Sequence, residues 1–198
     1  LPLTYRMKWM ATPAAGRELL GARIPDRIRL THGTFHGELM AETAVGMLLA
    51  VRRGLLPGLG LCGADDAWPI HTPGRRAIAG SRAVVLGYGH IGKAIGAKLS
   101  ALGVQVDGVT HANLADLDTL LAQADALFLA LPANPDTDNI IDAHRLALLP
   151  RHAILCNLGR GNAVDEAALC AALEAGALHA AFLDVFKEEP YPADGPLH

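Results

Sequence analysis

Three glycines at positions 87, 89 and 92 form the segment whose chemistry is easiest to interpret. Gly87-Tyr88-Gly89-His90-Ile91-Gly92 follows a short apolar run and precedes a stretch with helical periodicity. In a strand–turn–helix unit the first glycine makes the tight turn, the second lets a pyrophosphate approach the backbone, and the third lets helix and strand pack closely. The free N–H groups at the helix start favour an anion. The segment predicts a dinucleotide site, against the alternative of a glycine-rich turn without a ligand.

The end of the next strand bears on which dinucleotide is bound. An NAD site usually has an acidic residue there, which accepts hydrogen bonds from the adenine ribose hydroxyls. Here the end reads Val109-Thr110-His111, and the alternation of the strand places the nearby acid Asp107 before the tip. Without a carboxylate nothing repels a 2′-phosphate, and His111 can hydrogen-bond one, so the pattern favours NADP slightly over NAD. The alternative is that Thr110 and His111 are solvated loop residues.

Two further polar segments follow the last two strands of the same pattern. The first is Asn157-Leu158-Gly159-Arg160-Gly161, and the second runs from Asp184 to Pro190. Open α/β sheets bind ligands at the carboxyl ends of their strands. An arginine in that place can bind a carboxylate with two hydrogen bonds and polarise a neighbouring carbonyl, although a lone arginine between glycines is more often a surface charge.

These segments need a regular scaffold, and the hydropathy pattern predicts one. Apolar runs predict strands at 83–86, 104–109, 126–131, 153–157 and 179–185, and helical periodicity predicts helices at 38–55, 91–102, 117–124, 143–149 and 166–175. Strands that alternate with helices at these lengths specify a doubly wound parallel α/β sheet, the Rossmann type.

The amino-terminal part has a different pattern. Prolines and glycines break residues 1–37 into brief elements, which we interpret as a remnant of a second, substrate domain, whereas 38–198 would form the dinucleotide-binding domain. Its long helix is followed by a Gly- and Pro-rich arm at 55–80, and together they predict a homodimer. Leu1-Pro2-Leu3 has neither an initiator methionine nor a signal-type pattern, so we expect the sequence to begin inside a longer protein.

Composition excludes several classes of protein. No apolar run reaches the roughly 18 residues of a membrane span, and 17 basic against 20 acidic residues without a charged block give no footprint for nucleic acid. Cys62, Cys156 and Cys170 are too few and too scattered for a disulfide framework or a metal site. This pattern favours a reducing, cytoplasmic protein without a metal.

The ordered set of motifs resembles the D-isomer-specific 2-hydroxyacid dehydrogenases, and among them the glyoxylate and hydroxypyruvate reductases. The resemblance covers nearly the whole chain, and its motifs are Lys8-Trp9, Ala14-Ala15-Gly16, Met40-Ala41-Glu42, Leu48 to Arg52, the glycine fingerprint, Leu131-Pro132 with Asp136-Thr137, Asn157 to Asp165, and Leu183 to Pro192. It implies an oxidoreductase that uses NAD or NADP to reduce a small 2-oxo acid to the D-2-hydroxy acid.

The resemblance also implies roles for individual residues. Arg160 would bind the carboxylate and carbonyl of the substrate, Glu189 would orient a catalytic histidine and raise its pKa, and the backbone of Ala15-Gly16 would hold the substrate carboxylate. The implied cofactor-binding residues are Gly87, Gly89, His90, Ile91, Gly92, Thr110, His111, Leu131, Pro132, Thr137, Leu158, Gly159, Arg160 and Asp184.

Departures from the family pattern keep other interpretations open. The family's catalytic histidine is expected beyond Pro196-Leu197, and His198 comes too early to be that residue. The first part of the substrate domain would precede Leu1, and the stretch from Thr110 to Leu117 is shorter than usual. The chain is therefore either a piece of a complete enzyme or a truncated, nucleotide-binding regulatory or inactive relative. Another Rossmann enzyme, such as a methyltransferase, would not explain Arg160 together with the segment that ends in Glu189.

Overall fold

Two parallel sheets organise the residues that the computed structural model describes, which are 7–13, 24–33, 35–55 and 76–197. The smaller sheet pairs strand β1 (Trp9–Thr12) with β2 (Arg29–His32), and Trp9 lies opposite Arg29. The brief elements predicted for the amino-terminal part are thus two short strands. The predicted substrate residues Ala15 and Gly16 lie outside the described residues.

The larger sheet has five parallel strands in the order β4-β3-β5-β6-β7. Its strands are β3 (Arg82–Leu86), β4 (Gln105–Val109), β5 (Ala126–Leu129), β6 (Ile154–Asn157) and β7 (Ala180–Leu183). Five helices accompany them in the described part of the chain: α1 (His36–Arg52), α2 (His90–Ala101), α3 (Leu117–Leu121), α4 (Ala143–Leu148) and α5 (Glu166–Glu174). The predicted doubly wound parallel α/β fold is confirmed.

Apolar side chains cover both faces of this sheet, which is why its strands read as continuous hydrophobic runs. Alternate residues of each strand point to opposite faces. On one face Val84 and Leu127 pack with α3, α4 and α5, and on the other face Val85 and Phe128 pack with α1 and α2. The two cores hold the carboxyl ends of the strands in line.

Several boundaries differ from the sequence prediction. The helix predicted at 38–55 begins at His36 and ends at Arg52, where Gly54 turns the chain with a φ of +66°. The strand predicted at 126–131 stops at Leu129, because the following residues leave the sheet and form a loop at its carboxyl edge. Of the predicted arm at 55–80, residues 56–75 lie outside the described part.

In the part of the chain that the structure describes, three short 3-10 segments follow carboxyl ends of strands, and none of them was predicted. They are His111–Asp116, Pro135–Thr137 and Gly161–Ala163. Tight turns of this kind keep polar backbone close to the sheet edge. Among the described helices, none combines the length and apolar character needed to cross a membrane.

Candidate nucleotide-binding site

The glycine fingerprint lies between β3 and α2, as predicted. Gly87 has a φ of +95°, and a Cβ on this residue would stand 2.6 Å from the carbonyl oxygen of Ala130. Both its N–H and that of Tyr88 donate to the carbonyl of Val109, at 3.0 and 3.1 Å. A side chain at position 87 would be strained and would collide with the neighbouring loop, so the turn requires glycine.

The second glycine of the fingerprint faces open space. A Cβ on Gly89 would meet no atom within 4 Å, and Gly89 caps α2 without a side-chain hydrogen bond to the helix. The first N–H groups of a helix have no partner within the helix, and they carry a partial positive charge. Space and donors for an anion therefore coincide at this point. His90 is exposed beside it, whereas Ile91 packs against the core between α1 and α2.

A cavity of about 610 Å³ extends from the fingerprint along the carboxyl edge of the sheet. Seven of the predicted cofactor residues line it: Gly87, Gly89, Thr110, His111, Leu131, Pro132 and Thr137. Leu86, Tyr88, Val109, Leu114, Ala130, Asp136 and Ile140, which were not predicted, line it too. A largely apolar wall with a few polar groups is typical of sites that hold an aromatic ligand.

The corner after β4 is closed by hydrogen bonds. The Thr110 N–H and hydroxyl both donate to Oδ1 of Asn113, at 2.8 and 3.1 Å, and Nδ2 of Asn113 donates to the carbonyl of Gly108 at 3.0 Å. Asp107 takes no part in these bonds and pairs with Arg82 at 3.2 Å. As the strand alternation predicted, Asp107 lies before the tip.

Thr137 forms the opposite side of the cavity from within its own loop. Its side chain is buried, and its hydroxyl lies 2.9 Å from the carbonyls of Pro132 and Asn134. The Asn134 N–H donates to the same hydroxyl at 3.1 Å. The loop that follows β5 is therefore held in shape by its own polar groups and by Nδ2 of Asn162, which lies 3.3 Å from the Thr137 hydroxyl.

A single buried amide shapes the loop that carries Arg160. Asn157, at the end of β6, is 1% exposed; its Nδ2 donates to the Arg160 carbonyl at 3.0 Å, and its Oδ1 accepts the Gly159 N–H at 3.1 Å. The Arg160 side chain also donates to the Gly159 carbonyl at 2.8 Å. Leu158 points into the core between the sheet and α1 and α2. The turn is thus built to present Arg160 at the sheet edge.

The loop after β7 lies against that turn. The Asp184 N–H donates to the Asn157 carbonyl at 3.0 Å, and Gly161 packs directly on the backbone of Phe186. Oε1 of Glu189 accepts the Phe186 N–H at 3.0 Å, so the carboxylate stiffens its own loop. The structure therefore brings the loops of Arg160 and Glu189 together.

Cys156 lies in β6 beneath these loops, and its thiol has low reactivity. Burial, together with the negative charge of Asp184, raises the pKa of its thiol to about 12. A thiol that stays protonated at neutral pH is a poor nucleophile and a poor metal ligand. Within the described residues no cluster of three or more His, Cys, Asp or Glu side chains could hold a metal ion.

Sequence reasoning missed both asparagines that shape the site. Asn157 was recognised as part of a motif without a role, and Asn113 was not singled out. A detectable signal existed, because a Thr-x-x-Asn spacing directly after a strand is a capping pattern.

The fold and the site together define a nucleotide-binding α/β domain of the Rossmann class. Residues 45–198 match the family model described as "D-isomer specific 2-hydroxyacid dehydrogenase, NAD binding domain". The chain belongs to this family and contains its NAD-binding domain, which confirms the resemblance found in the motifs.

Relatives and solved structures agree with this assignment. The glycerate dehydrogenase of Methylorubrum extorquens is 39% identical over 169 residues, which are 79% of this chain and 52% of that protein. The glyoxylate/hydroxypyruvate reductase B of Erwinia tasmaniensis is 52% identical over 86 residues, 43% of this chain and 27% of that protein. The crystal structure of a D-isomer specific 2-hydroxyacid dehydrogenase from Xanthobacter autotrophicus Py2 in complex with NADPH and MES superposes with a TM-score of 0.85 at 33% identity, over 98% of this chain and 65% of that one. The chain thus spans about half the length of the first of these relatives.

Proposed function

We propose that the chain provides the nucleotide-binding part of an NAD(P)H-dependent reductase that converts small 2-oxo acids of the glyoxylate and hydroxypyruvate class into D-2-hydroxy acids. One observation carries the proposal: the open turn at Gly89 and the uncapped start of α2 adjoin a cavity of about 610 Å³, on the sheet edge that also presents Arg160. The names of the two relatives support the substrate class.

The residues present suit a dinucleotide. The N–H groups at the start of α2, next to His90, Ile91 and Gly92, would bind the pyrophosphate, and the apolar walls of the cavity would enclose the adenine. Thr110 and His111 would meet the adenine ribose, where the absence of a carboxylate favours NADP slightly over NAD. The remaining contacts, including the nicotinamide end, would come from Leu131, Pro132, Thr137, the backbone of Leu158, Gly159, Arg160 and Asp184. When bound, the dinucleotide supplies the hydride.

Arg160 would bind and polarise the 2-oxo acid. Its guanidinium can donate to the substrate carboxylate and to the carbonyl oxygen, where negative charge develops. The clamp of Asn157 on the Gly159 N–H and the Arg160 carbonyl keeps this side chain at the sheet edge. The backbone N–H groups of Ala15 and Gly16 would hold the other side of the carboxylate.

Glu189 would act through a histidine. A carboxylate that accepts one imidazole N–H raises the pKa of that ring and aims its other N–H. The aimed N–H would deliver the proton to the substrate oxygen that Arg160 polarises. The bond from the Phe186 N–H keeps the Glu189 carboxylate in a fixed loop, which suits a positioning role.

Domain organisation and assembly belong to the same proposal. Residues 1–37 would form part of a substrate domain, with β1 and β2 in a separate sheet, and 38–198 the nucleotide-binding domain. Exposed Leu39 and Leu55, 60% and 55% accessible, make α1 and Leu55 suitable for a homodimer contact. Light scattering tests the dimer, and a monomer at micromolar concentration would contradict it.

The free thiols of Cys156 and Cys170 suit a reducing cytoplasm, which is the localisation that we propose.

The decisive experiment is a fluorescence titration of the chain with NADPH and NADH, followed by absorbance at the nicotinamide band after glyoxylate or hydroxypyruvate is added. We expect saturable binding, tighter for NADPH, and loss of absorbance with a competent 2-oxo acid. Absence of binding by both nucleotides would refute the proposal. Binding with no turnover on any small 2-oxo acid would refute the catalytic part and leave a nucleotide-binding module.

A further inference from the structure

The corner after β4 owes its shape to one side chain that does not line the nucleotide cavity. Thr110 and His111 line that cavity, whereas Asn113 lines a separate depression with Asp107 and Gly108. Asn113 therefore lies outside the cavity and is hydrogen-bonded to Thr110, one of the two residues that would meet the adenine ribose. It acts on the ligand through the conformation of that corner.

The side-chain amide of Asn113 forms three hydrogen bonds, two with Thr110 and one with Gly108. Oδ1 accepts the N–H and the hydroxyl of Thr110, and Nδ2 donates to the carbonyl of Gly108. The Thr110 hydroxyl also accepts the Ala112 N–H at 3.3 Å. These bonds tie the last residues of β4 to the first turn after it, across the backbone of His111. Asn113 itself departs from helical geometry, with φ −128° and ψ 23°, in the position that these bonds require.

The closed corner has a chemical consequence. The only hydroxyl proton of Thr110 is directed at Asn113, and so is its N–H, so neither donates to a ligand while the corner is intact. The exposed His111, which lines the cavity, can then donate a hydrogen bond to a ligand there. The direction of its side chain depends on the backbone between Thr110 and Asn113, which the bonds of Asn113 hold in place.

We infer that Asn113 is a positioning residue that sets the discrimination between NADP and NAD. The inference rests on the proposed nucleotide-binding function. The two nucleotides differ only at the 2′ position of the adenine ribose, and the fingerprint and the rest of the cavity meet parts that they share. Removing the hydrogen bonds of Asn113 should therefore reduce the preference between NADP and NAD, while the contacts that both nucleotides share stay in place. Such a loss is distinct from a general loss of affinity.

The test compares ADP-ribose with its 2′-phosphate as probes, by calorimetry on the full 198-residue chain. These probes carry the distinguishing group and undergo no hydride transfer, so the result does not depend on turnover. We expect wild type to prefer the 2′-phosphate. Asn113→Ala should reduce the ratio of the two dissociation constants about threefold to tenfold, with a modest loss of thermal stability because Asn113 is half-buried and caps the turn.

Two further variants separate positioning from folding. Asn113→Asp keeps an acceptor for Thr110 and loses only the donation to Gly108, so it should retain more of the discrimination than alanine; high salt screens its added charge. Thr110→Val removes the hydroxyl from the corner and should reduce the ratio as Asn113→Ala does. Asp142→Ala, which removes a cap on the N–H of Arg145 at the start of α4, is the matched control and should leave the ratio unchanged.

The outcomes are distinct. A reduced ratio in Asn113→Ala and Thr110→Val, with Asn113→Asp closer to wild type, supports the inference. A wild type that binds both probes equally overturns it, as does an equal loss of affinity for both probes in Asn113→Ala. If wild type binds neither the probes nor the intact nucleotides, the proposed function itself fails. If Asn113→Ala does not fold, Thr110→Val decides with the same criterion.

Discussion

The two edges of the five-stranded sheet are built from the same strands and differ in how they satisfy their polar groups. At the amino edge Asp125 accepts the Arg82 N–H at 2.9 Å, the His152 ring at 2.9 Å and the Arg52 guanidinium at 3.3 Å. At the carboxyl edge the loops carry glycines and uncapped N–H groups beside open space. One edge neutralises its charges within the protein, and the other leaves room and donors for a ligand.

The edge on which a charged residue lies therefore separates structural from functional charges. Arg52 is 4% exposed and also donates to the Asp125 carbonyl at 2.8 Å, so its charge ties α1 to the sheet. Arg160 is only partly buried and lies at the end of a strand between two glycines. Replacing the first should cost stability, and replacing the second should cost activity. Four predictions test this contrast, in order of decreasing effect.

Arg160→Ala should lower kcat/KM for glyoxylate about 10³-fold in a preparation that reduces glyoxylate, because it removes the donor to the developing oxyanion. Thermal unfolding should change little. Arg151→Ala is the matched control, since this exposed arginine only bonds the Gly176 carbonyl away from the site. Steady-state kinetics measure both variants. Near-wild-type kinetics in Arg160→Ala would show that the carboxyl edge does not carry the chemistry proposed for it.

Arg52→Met should lower the free energy of unfolding by about 3 kcal/mol, because it leaves Asp125 without its buried partner. Affinity for NADPH should stay within about twofold, since the change lies at the opposite edge. The neighbouring exposed Arg53 offers the control Arg53→Met, for which we expect less than about 0.5 kcal/mol. Urea denaturation gives both values. A large loss of NADPH affinity in folded Arg52→Met would break the division between the edges.

Gly89→Ala should weaken NADPH binding about tenfold, because its methyl group enters the space where the pyrophosphate approaches the backbone. Stability should be preserved, since the added Cβ meets no protein atom within 4 Å. Gly92→Ala is the contrasting variant, because its Cβ would collide with the Gly87 carbonyl and destabilise the fold. Calorimetry with thermal unfolding separates the two effects. Unchanged affinity in Gly89→Ala would contradict the assignment of this space to the ligand.

The pH dependence of the unfolding free energy should show the contribution of the charged network around Asp125 at the amino edge of the sheet. Burial would raise the pKa of Asp125, but the Arg82 N–H, the His152 ring and the Arg52 charge outweigh it, so the pKa lies below the ordinary value of 3.8. Ionised Asp125 therefore contributes stability above that value, which is lost as the pH falls through the folded pKa. Between about pH 5 and pH 3 the unfolding free energy of wild type should fall more steeply than that of Asp125→Asn. Parallel slopes for the two proteins would argue against this network.

Much of the scaffold was predictable from local pattern. The apolar runs located all five strands of the large sheet, because strands buried on both faces have a continuous hydrophobic signal. The glycine spacing located the turn at Gly87, where a φ of +95° leaves little choice of residue. The ends of the strands were less well predicted: hydropathy continues through Ala130 and Leu131, although the strand ends at Leu129 and only the Ala130 N–H still bonds to the neighbouring strand.

Long-range partners were not predictable in the same way. Arg52 was noted as the end of the motif from Leu48 to Arg52, and its partner Asp125 lies 73 residues away. The two hydrogen bonds of Asn157 are local, to residues two and three positions along the chain, so an asparagine before Gly159 was a turn signal that could have been read. The contact between Arg52 and Asp125, in contrast, depends on which segments the sheet brings together.

Residues that are close in the chain specify the alternation of strands and helices, the glycine turn and the capping pattern at Thr110 and Asn113, and the ordered motifs along the chain specify the family. Only the tertiary contacts show that Arg52 is structural and that the loops of Arg160 and Glu189 meet. Those two outcomes follow from the order of the strands and from burial, which place distant residues in contact and remove water from some of them. Local hydropathy reports neither the strand order nor these contacts.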